Sequence, residues 1–192
     1  MRLGVLVSGR GSNLEAVLTA KPPGLEPVLV VSNRPGVRAL DVAAAHGVPA
    51  RVLRRGDHGG DPSARDGAIG AAFERARVEL VLLAGYDQLL RPAYFATFSG
   101  LTINIHPSLL PAHGGAGMMG MAVHRSVLVA GDRETGVTLH EVTPDLDAGP
   151  ILAQSRVAVL AGDDAETLAG RVLAEEHRLL VATLAEIAAE AL

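Results

Sequence analysis

A chain of 192 residues with 48% hydrophobic and 20% charged side chains has the length of one domain and enough apolar content for a full core, which excludes wholesale disorder. It contains no cysteine, which removes disulfides, thiol nucleophiles, iron–sulfur clusters and Cys-based zinc sites. A net charge of -4 with no basic block lacks the footprint of phosphate-backbone binding, five aromatics make no base-stacking platform, and no apolar run approaches the roughly 18 residues that span a bilayer.

The apolar run 3–7 is shorter than a signal-peptide core of about 7–15 residues, so a cytoplasmic protein is expected. That run predicts a strand, followed by a Gly/Ser turn and a helix over about 12–20. Residues 28–31 read as a second strand, 37–46 as a helix stopped by Gly47, and 50–53 as a short third strand. A helix over 65–77 precedes the wholly apolar run 80–84. Strands apolar on both faces and separated by helices predict an α/β fold with a doubly wound, mostly parallel sheet covered by helices on both faces. Further on, 101–106 reads as a strand, 121–130 as a helix, and 136–142 and 151–159 as strands. A long helix from about Asp164 closes the chain, its apolar stripe running through positions 168, 173, 180, 184, 187 and 191, with Asp163 and Glu166 as a capping box. One domain is expected over 1–192, with a phosphate-binding half (1–100) and a catalytic half (101–192).

The turn Ser8-Gly9-Arg10-Gly11-Ser12-Asn13-Leu14 lies between the first strand and its helix. Glycines let the backbone approach a ligand closely, and N–H groups at a helix start favour an anion. Leu14 stands where a dinucleotide fingerprint needs a third Gly, and a Gly-Lys-Ser/Thr triphosphate loop is absent. A small phosphate monoester is the better fit. The same residues also read as a plain cap, since Ser12 and Glu15 have the spacing of a capping box.

In Thr102-Ile103-Asn104-Ile105-His106-Pro107, strand alternation puts Asn104 and His106 on one face, about 7 Å apart. An amide donor and an imidazole acid so placed can polarise a carbonyl. A local backbone partner for Asn104 and a surface position for His106 is the plainer reading. His106, His113 and His124 lie near one another in sequence but lack metal-site spacing, so no metal is expected. Asn occurs only at 13, 33 and 104, which makes each one of interest. Within residues 142–150, Asp145 and Asp147 are explicable as turn residues. If one of them faces His106 it favours the imidazolium, and nothing local says which.

These three segments, with the second extended through Ser108-Leu109-Leu110-Pro111 and the third running from Asp145 to Gly149-Pro150, resemble the glycinamide ribonucleotide formyltransferases of the folate-dependent formyltransferase superfamily. The resemblance covers essentially the whole chain. It implies the formyltransferase fold with a Rossmann-like N-terminal half. It also implies transfer of the formyl group of 10-formyltetrahydrofolate, as co-substrate, to the amine of glycinamide ribonucleotide in purine synthesis. The alternative within the superfamily is a formyltetrahydrofolate hydrolase. That enzyme carries an extra N-terminal domain and methionyl-tRNA formyltransferase an extra C-terminal one, and a chain with these ends is expected to carry neither.

By the same resemblance, Asn104, His106 and Asp147 are catalytic, Asp147 keeping His106 protonated. Gly11, Ser12 and Asn13 hold the substrate phosphate and Glu176 reads the ribose. Arg65, Asp87, Gln88, Leu89, Leu90, Thr143, Pro144, Asp145 and Leu146, with Asn104 and Asp147, bind the folate. His140 supports the site. Metal, nucleic-acid and membrane partners are not expected, and the chain is expected to be a monomer or weak homodimer. Residues 112–121 resemble a longer Gly-rich version of a family loop, with Ala116 where a basic residue is common, and their composition suits a lid.

Overall fold

A computed structural model describes residues 1–190. In chain order the elements are β1 (Arg2–Val7), α1 (Ser12–Ala20), β2 (Glu26–Ser32), α2 (Arg38–Ala45), β3 (Ala50–Val52), a 3-10 turn (Arg55–His58), α3 (Pro62–Arg75), β4 (Leu80–Leu83), α4 (Pro92–Phe95), β5 (Leu101–His106), α5 (Met121–Ala130), β6 (Glu134–Glu141), β7 (Ile151–Ala158) and α6 (Ala165–Glu190). The strands form a seven-stranded sheet in the order β3-β2-β1-β4-β5-β6-β7. β1 pairs in parallel with β2 and β4, β2 pairs in parallel with β3, and β6 and β7 are antiparallel. This is the mostly parallel α/β architecture that the doubly apolar runs predict. The described chain divides into two compact units, residues 1–103 with 184–190, and Asn104–Thr183.

In the first unit, β1 is buried from Leu3 to Val7 and β4 at every position, because helices leave neither strand a wet face. Four of the five aromatics cluster there. Phe73 of α3 lies 6.0 Å from Phe98, Tyr94 lies 5.7 Å from Phe98 and 5.1 Å from Phe95, and the Tyr94 hydroxyl is 2.8 Å from the Thr102 hydroxyl. The one-turn helix α4 that delivers Tyr94 is too short to leave a periodic trace in sequence. α3 starts at Pro62, three residues before the expected Arg65, because Asp61 caps it by accepting from the Ser63 N–H at 2.8 Å and Pro62 fits the first helical position.

Two expected capping boxes are displaced. α1 begins at Ser12, but its cap is Gly11 in the left-handed region (φ 74°), and the Glu15 carboxylate reaches Arg38 at 2.7 Å instead of the helix start. At the head of α6 the reciprocal pair is Asp164 and Thr167, at 2.8 and 3.0 Å, one residue later than Asp163 and Glu166. Asp163 instead pairs with Arg171 at 2.7 Å.

The buried stripe of α6 also differs from the expected one. It runs through Leu168, Val172, Glu176, Leu179, Leu180, Thr183, Leu184 and Ala188, whereas positions 173 and 187 are only half-buried. Position 191 lies outside the described residues. The apolar count alone misplaces the stripe because a carboxylate and a hydroxyl occupy two of its buried positions.

Candidate active site

In the second unit, the end of β5 presents Asn104, half-buried, and His106, buried. The Asn104 amide nitrogen is 3.1 Å from Nε2 of His140 on β6, and His140 Nδ1 is 2.8 Å from the Glu141 carbonyl oxygen. A carbonyl only accepts, so the network assigns the His140 proton to Nδ1 and makes Nε2 the acceptor of an Asn104 N–H. Burial pushes the His140 imidazole below its ordinary range. The Glu141 carbonyl and Asp147 oppose that shift, while the neighbouring His106 adds to it. The neutral form that accepts from Asn104 is therefore the form favoured near pH 7.

Asp147 is the carboxylate that faces the histidines, which settles what spacing left open. Its Oδ2 is 4.0 Å from His106 Nδ1 and its Oδ1 is 3.7 Å from His140 Nε2, both longer than a hydrogen bond. Asp145 is exposed. The loop is closed by the Glu141 N–H donating to the Pro150 carbonyl at 2.9 Å. Gly149 passes so close to that strand that a Cβ would lie 2.0 Å from the Glu141 carbonyl oxygen. Asp147 itself adopts φ 52°.

The Gly-rich segment also belongs to this cluster. The Gly115 N–H donates to Asp147 Oδ2 at 2.8 Å, and His106 Nε2 donates to the His113 carbonyl at 2.9 Å. Sequence pattern treats 112–121 as a possible lid and gives no sign of these backbone contacts. His113 places its two ring nitrogens 2.7 Å from Ser126 and 2.7 Å from Asp132, away from any shared centre with His106 and His124. His124 is buried, its Nδ1 without a hydrogen-bond partner among the described residues, and burial pushes its imidazole below the ordinary range, with His106 acting the same way. Thr138 braces the run after β5 by donating to the Ser108 carbonyl at 2.7 Å and accepting from the Leu110 N–H at 3.0 Å.

In the first unit, the turn after β1 is shaped by Gly11. Its φ favours glycine, and a Cβ there would meet the α carbon of Ala39 on α2 at 2.8 Å. Ser12 is the first residue of α1, and Asn13 is buried one residue further on. Ser8 is an internal link. Its hydroxyl donates to Asn33 at 2.7 Å and accepts from the Asp87 N–H at 3.0 Å. Asn33 donates to the Asp87 carboxylate at 2.8 Å, which Arg34 also contacts. Burial raises the Asp87 carboxyl, but hydrogen bonds from Asn33, Ser8 and Gln88 and the Arg34 charge outweigh it and hold the group below the usual carboxylate range.

Arg65 is almost wholly buried. It pairs with Asp66 at 2.6 Å and reaches the Gln88 side chain at 3.3 Å, while Asp66 accepts from the Arg91 N–H at 3.0 Å. The pair thus braces residues 87–91 from beneath. Glu176 lies on the buried stripe of α6, only 9% exposed.

A family model described as "Formyl transferase" matches residues 1–184. The chain belongs to the formyl transferase family. A Mycobacterium tuberculosis formyl transferase, named phosphoribosylglycinamide formyltransferase, is 44% identical over 193 residues, covering 97% of this chain and 85% of the relative. The chicken (Gallus gallus) trifunctional purine biosynthetic protein adenosine-3 is 42% identical over 194 residues, and there this chain spans all of its own length but only 19% of the relative's. The crystal structure of glycinamide ribonucleotide transformylase 1 from Symbiobacterium toebii matches with a TM-score of 0.91 at 37% identity, covering 99% of this chain and 88% of that one. Among the described residues, no helix is long and apolar enough to cross a membrane.

Proposed function

We propose that this formyl transferase moves the formyl group of 10-formyltetrahydrofolate to the amine of glycinamide ribonucleotide. The products are formylglycinamide ribonucleotide and tetrahydrofolate, in cytoplasmic purine synthesis. The observation that carries the reading is the meeting of Asn104, His106 and Asp147 in one unit, the carboxylate 4.0 Å from the His106 ring. The names of the relatives supply the substrate class.

The substrate amine attacks the formyl carbon and its C=O electrons move onto oxygen. An amide nitrogen carries two hydrogens. Asn104 directs one to His140, and the other is available to the oxyanion. His106, its Nδ1 4.0 Å from the Asp147 carboxylate, serves as the acid beside that oxygen. When the tetrahedral adduct collapses, the bond from carbon to the folate N10 breaks, N10 gains a proton and the amine loses one. The buried neutral His140 holds the amide in place and takes no proton in this scheme.

Gly11, Ser12 and Asn13 hold the ribonucleotide phosphate through N–H and side-chain donors at the start of α1. Glu176 accepts from the ribose hydroxyls. The segments Asp87 to Leu90 and Thr143 to Asp147 hold the folate, largely through backbone, since the Asp87 carboxylate is engaged by Asn33 and Arg34. Arg65 shapes the folate segment from below through Gln88.

Incubating the protein with 10-formyltetrahydrofolate, with and without glycinamide ribonucleotide, tests the reading. Tetrahydrofolate release that requires the ribonucleotide supports it. Equal release without the amine identifies a formyltetrahydrofolate hydrolase and refutes it.

A further inference from the structure

We propose that His113 is a positioning residue that, clamped by Ser126 and Asp132, fixes the ring tautomer of His106 and the placement of Asp147. The proposal rests on the formyl-transfer reading for its catalytic consequence, but its structural content stands apart from that reading.

The residue sits where the chain touches both members of the acid pair. Its own carbonyl accepts the His106 Nε2–H at 2.9 Å. Two residues on, the Gly115 N–H donates to Asp147 Oδ2 at 2.8 Å. A displacement of this short stretch therefore moves the hydrogen-bond partner of the imidazole and that of the carboxylate together. By occupying Nε2 with a proton, the His113 carbonyl leaves Nδ1 as the nitrogen on the Asp147 side, 4.0 Å from the carboxylate.

This stretch needs an external anchor. His113 has φ 54°, a left-handed conformation that is uncommon for a non-glycine residue. Glycines follow it at 114 and 115, which bring no side chain to pin the backbone. The imidazole of His113 supplies the anchor. A carboxylate only accepts, so the ring donates from Nε2 to Asp132 Oδ2 at 2.7 Å, and Nδ1 accepts from the Ser126 hydroxyl on α5 at 2.7 Å. Both ring nitrogens are satisfied by groups 13 and 19 residues away in sequence, so the ring is held in two directions.

The variants Asp132→Ala, Asp132→Asn and Ser126→Ala test this, with kcat, KM, thermal midpoint and the ring-nitrogen NMR signals of His106 as readouts. Asp132→Ala is expected to lower kcat about tenfold or more while KM stays within about twofold, the signature of misplaced catalytic groups without lost binding. His106 is expected to change from a single Nε2–H tautomer to a mixture. Asp132→Asn keeps an oxygen acceptor without the charge and is expected to restore most of the rate and the single tautomer.

A folded Asp132→Ala variant with wild-type kcat and unchanged His106 signals overturns the proposal. If Asp132→Ala does not fold, Ser126→Ala, which removes the other ring contact, is read by the same two criteria and decides it. Should the wild type transfer no formyl group while the His106 tautomer still follows Asp132, the positioning role stands and the formyl-transfer reading falls.

Discussion

Asn104 and His140 hold each other in register. The amide donates to an imidazole nitrogen 3.1 Å away whose ring is kept neutral by burial and turned by the Glu141 carbonyl. A free carboxamide rotates and presents its oxygen as readily as its nitrogen. Here the acceptor on His140 selects the orientation that shows an N–H to a developing oxyanion.

The first prediction concerns Asn104. Asn104→Ala is expected to lower kcat by about 10²–10³, the usual effect of removing one oxyanion donor. His140→Leu removes the acceptor that orients the amide while leaving Asn104 itself, and is expected to lower kcat by about tenfold, since misorientation leaves the donor present part of the time. Steady-state kinetics of the two variants check both values. A His140→Leu enzyme with wild-type kcat separates Asn104 from His140.

Stability is expected to fall between pH 7.5 and 5.5. His140 and His124 both have folded-state values below the ordinary imidazole value of about 6.5, so across that window the unfolded chain binds more protons than the folded one. Stability therefore rises with pH through the window, and the loss on acidification levels off below the folded values. Thermal midpoints of the wild type and of His140→Gln in this range check it. The variant is expected to show a shallower slope, and an identical slope would mean His140 is not buried in its neutral form.

Much of this arrangement was legible in sequence because it follows from short-range pattern. The doubly apolar runs of β1 and β4 declare a covered parallel sheet, and strand alternation alone puts Asn104 and His106 on one face. What pattern could not give are contacts made by backbone or by distant side chains. Gly115 reaches Asp147 through an N–H that every residue type carries, so composition is silent about it. Sequence does not reveal that Glu176 is buried, because a carboxylate within an apolar stripe is indistinguishable from a flanking one until the stripe is located. Asn33 was notable only for the rarity of its type, and its link between Ser8 and Asp87 needs three strand ends brought together.

The buried Arg65–Asp66 pair carries a stability prediction. Asp66→Ala leaves the Arg65 guanidinium uncompensated in a site where its side chain is 2% exposed, and is expected to cost about 3–5 kcal/mol. Urea unfolding measures it. A loss below about 1 kcal/mol would mean water reaches the guanidinium and the brace under residues 87–91 is not a closed one.

Gly11→Ala tests the turn after β1. The left-handed φ costs an alanine about 1–2 kcal/mol before the contact with Ala39 is counted, and for a chain of this size that alone lowers the midpoint by roughly 2–8 °C. The backbone N–H groups at the start of α1 shift with it, so KM for glycinamide ribonucleotide is expected to rise more than kcat falls. A change in kcat alone would remove this turn from substrate binding.

The most direct test of the account follows the one-carbon unit itself. 10-Formyltetrahydrofolate labelled with ¹³C in the formyl group is incubated with glycinamide ribonucleotide and either the wild-type protein or His106→Ala, and the products are read by NMR. The label is expected as an N-formyl carbon on the former amine nitrogen of the ribonucleotide product with the wild type, and to be largely retained on the folate with the variant. Label released as free formate, or transferred equally well without His106, would contradict it.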